Sequence, residues 1–192
     1  MLTIGLTGGI GSGKTTVSGI IERLGYPVYA SDPAAARIVN EDAGVKEALT
    51  RDFGKEIYTA RGELDRPRFA SLIFNDPRAL ARANEIIHPA VMRDFRRWCA
   101  ARQVPLLFFE SAILFEAGLA GMFDIVITVT ADVETRIARV ARRDHLPREK
   151  ILERIHHQPG ADPSRSTFII RNNPGDMLVE QVLDIIHTLT RT

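Results

Sequence analysis

The sequence has a single cysteine and no excess of charge of either sign. Cys99 alone cannot form a disulfide within the chain or supply a cysteine-based zinc cluster, which fits a reducing compartment. Lys and Arg total 25 against 24 for Asp and Glu, so the overall charge does not favour a nucleic-acid or membrane partner. The composition predicts a protein without such partners, in which any electropositive site is local.

Long apolar segments are also absent. No apolar run approaches the roughly 20 residues that a transmembrane helix needs. The N-terminus lacks the basic region of a signal peptide and reaches glycine before an apolar region can form. Both absences predict a cytoplasmic location. The 192 residues, of which 45% are hydrophobic, can form one domain with inserted subdomains, and we expect a monomer or a weak homo-oligomer.

Short apolar segments alternate with longer segments of helical period, a pattern typical of α/β proteins with a parallel sheet. The predicted strands cover residues 2–6, 27–30, 104–109, 125–129 and 168–170. Between the second and third strands the pattern is helical and is interrupted near Pro89. A second break, which includes the turn-forming residues 156–163, has the composition of a lid.

The strongest motif lies between the first strand and an amphipathic helix, where residues 8–15 read G-G-I-G-S-G-K-T and fit the P-loop pattern G-x-x-x-x-G-K-[ST]. Glycines let backbone N–H groups curl around phosphates, and the helix directs its positive end at the same anion. Lys14 would contact the β- and γ-phosphates, Thr15 would bind Mg²⁺, and Thr16 would contact the α-phosphate. The predicted nucleotide-binding residues here are Gly9, Ile10, Gly11, Ser12, Gly13, Lys14, Thr15 and Thr16. The alternative, a turn without a ligand, has no use for the Lys-Thr pair.

The motif and the strand pattern together predict an α/β, three-layer P-loop NTPase fold with a five-stranded parallel sheet. The predicted nucleotide-binding core comprises residues 1–60, 104–144 and 167–192. Residues 61–103 would form a helical insertion that binds the acceptor, and residues 145–166 a small helical lid.

Three uses of the nucleotide remain: phosphoryl transfer, a GTPase switch or mechanical work. The chain lacks the Asn-Lys-x-Asp run that reads guanine, which weakens the switch hypothesis. The third strand ends in Glu110, which would hold Mg²⁺ through water, and no second acid follows it to activate water for hydrolysis. The segments suited to an acceptor site and a lid favour a small-molecule kinase that uses ATP.

Asp32 follows the second strand and is predicted at the sheet edge where α/β proteins bind ligands. A carboxylate there can accept the proton of an attacking hydroxyl. It can equally cap a helix, because Pro33 would then occupy the first helical position. Spacing alone leaves both interpretations open.

Several segments resemble the dephospho-CoA kinase family over about residues 2–190. They are the P-loop, the approach to Asp32, the Asn-Glu-Ile-Ile-His-Pro run that ends at Pro89, the segment 110–116, and Arg139, Arg143 and Asn172. The resemblance implies that ATP phosphorylates the ribose 3′-hydroxyl of dephospho-CoA, the last step of coenzyme A synthesis. A kinase for another nucleoside or nucleotide is the second hypothesis.

The resemblance also implies roles for individual residues. Asp32 would be the base that binds the 3′-hydroxyl, Lys14, Arg143 and Arg139 would act on the transferring phosphoryl group, and Asn172 would contact the nucleotide. His88 would belong to the acceptor side.

Five positions depart from the family pattern. Ala30 replaces an acid, Ala36 replaces an arginine whose nearest substitute is Arg37, Arg136 replaces a frequent glutamine, and Ser166-Thr167 replace an Ala-Asp pair. We therefore expect Asp32 to act without a second acid.

Overall fold

The computed structural model describes residues 1–73, 76–157 and 163–191. The strands are β1 Leu2–Thr7, β2 Val28–Ala30, β3 Leu106–Glu110, β4 Ile125–Thr130 and β5 Phe168–Arg171. The helices are α1 Lys14–Arg23, α2 Ser31–Glu41, α3 Ala43–Phe53, α4 Arg66–Ile73, α5 Pro77–Ala100, α6 Val133–Asp144, α7 Arg148–His157 and α8 Leu178–Thr190. Within these ranges no helix has both the length and the apolar character needed to cross a membrane.

The five strands form one sheet in the order β2-β3-β1-β4-β5. The central strand β1 runs parallel to β3 on one side and to β4 on the other, and β4 runs parallel to β5. The predicted α/β fold with a five-stranded parallel sheet is therefore confirmed. Each predicted strand differs from the observed one by at most two residues at either end.

The chain divides into two compact units. The first comprises residues 1–29 and 103–192, and the second comprises residues 30–102. The first contains β1, β3, β4 and β5. Its core packs α1 and α8 against the sheet, with fully buried contributions from Ile4, Leu6, Phe108, Ile127 and Ile170. A smaller apolar cluster joins α6 to α7 through Ile137, Val140, Ile151 and Ile155, and Ile10 of the P-loop packs against it.

The second unit is helical, and α2, α3 and α4 all pack against the long helix α5. It begins at Ala30, about thirty residues before the predicted boundary, because α2 and α3 belong to the same packing as α5. The prediction of an interruption near Pro89 is wrong, since α5 continues through that residue. The proline removes one backbone hydrogen bond, and burial of the apolar residues that follow it stabilises the helix.

The predicted lid is described only in part. Helix α7 covers most of its first half and packs on α6. Of the turn-forming residues 156–163, residues 158–162 lie outside the described residues.

Candidate active site

The loop between β1 and α1 has the backbone conformation that its glycines allow. Gly11 and Gly13 have φ angles of 77° and 96°, which side chains rarely tolerate. A Cβ on Gly11 would approach the carbonyl oxygen of Arg136 to 2.7 Å, and a Cβ on Gly13 would overlap the side-chain amide of Asn172. The two glycines therefore permit close contact between the loop and the elements that support it.

The residues that begin α1 lie at the mouth of this loop. Lys14 is the first residue of the helix, and its Nζ donates a 2.7 Å hydrogen bond to the carbonyl oxygen of Gly8, so the side chain curls back over the loop. Thr15 and Thr16 follow in the first turn with exposed side chains. Gly13 occupies the N-cap position of α1 without a side-chain cap, and the positive end of the helix faces the loop.

Arg139 and Asn172 meet at the loop backbone. The Nδ2 of Asn172, just beyond β5, donates to the Ser12 carbonyl at 2.8 Å. The Nη1 of Arg139, on α6, donates to the Gly11 and Ser12 carbonyls at 3.4 and 3.3 Å, and its Nη2 donates to Asn172 Oδ1 at 3.3 Å. The structure thus brings together two of the predicted site residues, and both contact the loop itself.

This arrangement orients the N–H groups of the loop. In a trans peptide the C=O and the following N–H point in opposite directions. Carbonyls held by Arg139 and Asn172 on one side therefore direct N–H groups, such as that of Gly13, toward the other side. Such a row of N–H groups is the usual protein site for phosphate.

Arg143 lies one turn beyond Arg139 on α6 and contacts different groups. Its guanidinium forms two hydrogen bonds with Asp144, at 2.6 and 3.0 Å, and its side chain is 64% exposed. The pair holds the pKa of Asp144 below its ordinary value, mainly through this side-chain hydrogen bond. Nε and Nη2 are thus the guanidinium atoms of Arg143 that Asp144 engages.

Glu110 ends β3, and the register pairs it with Leu6 near the end of β1. Its side chain is half-buried, and the next residue, Ser111, donates its backbone N–H to the Leu6 carbonyl at 3.0 Å. The carboxylate therefore lies beside the strand that leads into the P-loop.

A groove of about 490 Å³ lies beside Arg139 and is also lined by Glu134, Thr135, Ala138 and Arg142 of α6 and by Pro174. Sequence reasoning missed these residues. Thr135, Ala138, Arg139 and Arg142 recur at i, i+3, i+4 and i+7, which places them on one face of α6. That stripe, which contains the predicted site residue Arg139, was the signal that could have identified them.

Two predicted residues lie in the helical unit. Asp32 is exposed in the first turn of α2, and within the described ranges its carboxylate has no hydrogen-bond or ion-pair partner. The capping interpretation is wrong, because Ala30 occupies the N-cap position and Asp32 already lies inside the helix. His88 is half-buried in the middle of α5, and burial lowers its pKa.

The nearest substitute for the absent family arginine is engaged within the helical unit. The Nη2 of Arg37 contacts Asp94 on α5 at 2.6 Å, and its Nη1 lies 3.6 Å from Glu41. This ion pair joins α2 to α5.

Comparison with known proteins gives a consistent result across sequence and structure. The family model described as dephospho-CoA kinase matches residues 2–176. A dephospho-CoA kinase of Porphyromonas gingivalis is 40% identical over 192 residues, covering 98% of this chain and 95% of that protein. One from Bacteroides fragilis is 36% identical over 188 residues, covering 96% and 91%.

Solved structures share the fold of the chain. The crystal structure of TT1252 from Thermus thermophilus superimposes with a TM-score of 0.85 at 34% identity and covers 97% of this chain and 96% of that one. Shikimate kinase from Acinetobacter baumannii shares the fold, with a TM-score of 0.53 at 17% identity over 100% of this chain and 94% of that one. The chain belongs to the dephospho-CoA kinase family.

Proposed function

We propose that Asp32 accepts the proton of the ribose 3′-hydroxyl of dephospho-CoA while the P-loop holds the ATP whose γ-phosphoryl group is transferred. Dephospho-CoA kinase activity, the final step of coenzyme A biosynthesis, is the activity of the family to which the chain belongs. The observation that carries the proposal is the glycine loop whose carbonyls are held by Arg139 and Asn172.

Phosphate binding follows from that loop. Its N–H groups and the N-terminus of α1 offer hydrogen bonds and positive potential to the β- and γ-phosphates. The ammonium group of Lys14, which donates to the Gly8 carbonyl, would exchange this carbonyl for phosphate oxygens when ATP binds. Both interactions strengthen as negative charge redistributes in the transition state.

The same end of the sheet offers oxygen ligands that suit Mg²⁺. In the described part of the chain no group of three His, Cys, Asp or Glu side chains could hold a metal ion. We expect the Thr15 hydroxyl to bind Mg²⁺ and the Glu110 carboxylate to hold it through water, because Mg²⁺ usually takes few protein ligands beside phosphate oxygens and water. When bound with ATP, Mg²⁺ neutralises charge on the β- and γ-phosphates.

The groove beside Arg139 suits the adenosine of ATP. It has the volume for a base and ribose, and Arg139, which lines it, also contacts the loop carbonyls. Arg142 and Pro174 offer a planar cation and an apolar ring for a flat base. ATP would thus lie along α6, with its phosphates in the P-loop.

Asp32 is the proposed base because its carboxylate is exposed and lies two residues beyond the end of β2, a strand of the same parallel sheet. It would take the proton of the 3′-hydroxyl and hold that oxygen in line with the γ-phosphorus. Arg143 would release Asp144 and contact the transferring group, and His88 would contribute to the acceptor side.

The experiment is Asp32→Asn, assayed with ATP and dephospho-CoA alongside calorimetric ATP titration. We expect kcat to fall by about 100-fold or more, with the Kd for ATP changed by less than about twofold, because the amide keeps the shape but accepts no proton.

Asp42→Asn is the matched control. Asp42 caps α3 of the same helical unit by accepting from the N–H of Val45 at 3.0 Å, and asparagine caps equally well. This control should keep wild-type turnover. Wild-type turnover in Asp32→Asn would remove Asp32 from the mechanism.

A further inference from the structure

The buried guanidinium of Arg136 lies against the back of the P-loop. Arg136 is only 7% exposed, and its Nε donates a 2.8 Å hydrogen bond to the Ile10 carbonyl. Its Nη2 is buried without a hydrogen-bond partner among the described residues. A buried arginine is usually paired with a carboxylate, because burial of an unpaired charge is costly.

The contact with Ile10 fixes one peptide group of the loop. Because the peptide between Ile10 and Gly11 is trans, its C=O points to Arg136 and its N–H points away from it. The guanidinium therefore polarises this peptide so that the positive end, the Gly11 N–H, faces the opposite side of the loop. Gly11 also passes so close to the Arg136 backbone that a Cβ would lie 2.7 Å from its carbonyl oxygen.

We propose that Arg136 is a positioning residue for phosphate binding, which orients the Ile10–Gly11 peptide and places a buried positive charge behind the phosphate site. This inference rests on the proposed function, since it needs ATP in the P-loop. The charge lies in a low-dielectric region one backbone layer from the bound phosphates, where screening by water is weak. The buried charge lowers the free energy of unfolding when no nucleotide is bound, and the phosphates of a bound nucleotide compensate it.

Arg136→Gln replaces the guanidinium with an uncharged side chain that can still donate a hydrogen bond to the Ile10 carbonyl. The substitution removes the charge and keeps the donor. Burial already lowers the pKa of the Arg136 guanidinium, in agreement with an unfavourable environment for the charge in the free protein.

The experiment compares Arg136→Gln with wild type by calorimetric titration with ATP, ADP and adenosine, and by thermal unfolding without nucleotide. We expect the Kd for ATP and ADP to rise about tenfold, as for the loss of one charged partner at a low-dielectric site. The Kd for adenosine should not change, and the unfolding temperature should stay equal or rise, because the unpaired charge is gone.

Arg23→Gln is the control for net charge. Arg23 is an exposed arginine of α1 whose Nη1 donates to the Gly19 carbonyl at 3.4 Å, and this variant, like Arg136→Gln, loses one positive charge. It should bind all three ligands as wild type does. Arg136→Lys, which keeps the charge, should retain the wild-type ratio of ATP to adenosine affinity.

Equal weakening of ATP and adenosine in Arg136→Gln would show a packing role and overturn the proposal, as would unchanged ATP affinity. If Arg136→Gln does not fold, a tenfold loss of the ATP-to-adenosine ratio in folded Arg136→Lys would overturn it instead. Failure of wild type to bind ATP would refute the proposed function rather than this inference.

Discussion

Asn172→Ala tests how far the P-loop depends on support from the end of β5. The substitution removes the 2.8 Å hydrogen bond from Nδ2 to the Ser12 carbonyl and the 3.3 Å hydrogen bond that Oδ1 accepts from Arg139. The Ser12 carbonyl keeps its contact with Arg139 Nη1 at 3.3 Å, so no buried carbonyl loses every partner.

The expected loss follows from these two bonds. Intramolecular hydrogen bonds contribute about 0.5–1.5 kcal/mol each, and the longer one lies at the weak end, which gives a total of about 1–2 kcal/mol. In a chain of this size each kcal/mol lowers the unfolding temperature by about 2–4 °C. If this free energy is lost entirely from ATP binding, because the loop no longer keeps the geometry that ATP needs, the Kd for ATP rises about 5- to 30-fold.

The adjacent residue provides the matched control. Asn173 Oδ1 accepts a 2.8 Å hydrogen bond from the backbone N–H of Asp132, the N-cap residue of α6. Asn173→Ala should lower stability by about 1 kcal/mol without a change in ATP affinity.

Thermal unfolding measures the loss of stability in both variants, and calorimetric titration measures the Kd of each for ATP. The reasoning is refuted if the two variants weaken ATP binding equally, or if Asn172→Ala binds ATP as wild type does.

Two further predictions concern other residues of the same unit. Lys14→Ala should raise the Kd for ATP about tenfold and lower kcat about 100-fold, since the ammonium acts on both the bound and the transferring phosphoryl group; an unchanged kcat at saturating ATP would contradict this. Asp124 accepts from the backbone N–H and Oγ1 of Thr3 at 2.7 and 2.8 Å, which hold its pKa below the ordinary 3.8. The carboxylate therefore stabilises the fold above its ordinary pKa and loses this effect as pH falls through the lowered value. Asp124→Asn should reduce the free energy of unfolding near pH 7, and the reduction is at most about 1 kcal/mol because the site is exposed. Chemical denaturation from pH 7 to 2 should show that the difference in unfolding free energy between wild type and variant shrinks below pH 3.8. A difference that stays constant over this range would contradict the prediction.

The strands of the sheet could be predicted because each of them depends on a local pattern, whereas their order in the sheet, β2-β3-β1-β4-β5, was not predicted. Short apolar segments of β-branched and aromatic residues bounded by glycine, proline or polar residues mark strands in a buried parallel sheet. The P-loop motif then located the carboxyl end of β1. The boundary of the helical unit could not be predicted, since it depends on which partner α2 and α3 pack against, and their periodicity indicates only that one face is buried.

Several residues of the candidate site could be identified from the sequence, whereas their contacts with one another could not. Arg139 and Asn172 lie far apart in sequence, and only folding shows that both bind the carbonyls of the loop. Arg136 was noted only as a departure from the family, because nothing in its sequence neighbourhood shows that its charge is buried without an acidic partner. The continuity of α5 through Pro89 likewise depends on tertiary packing, which overrides local propensity.

The most direct test of the account is a steady-state assay of the purified protein with ATP and dephospho-CoA, run beside AMP, CMP and adenosine as acceptors. The account predicts that ADP and coenzyme A form together in equal amounts, with kcat/KM for dephospho-CoA far above that for every other acceptor. Phosphorylation of another acceptor while dephospho-CoA stays unmodified would contradict it.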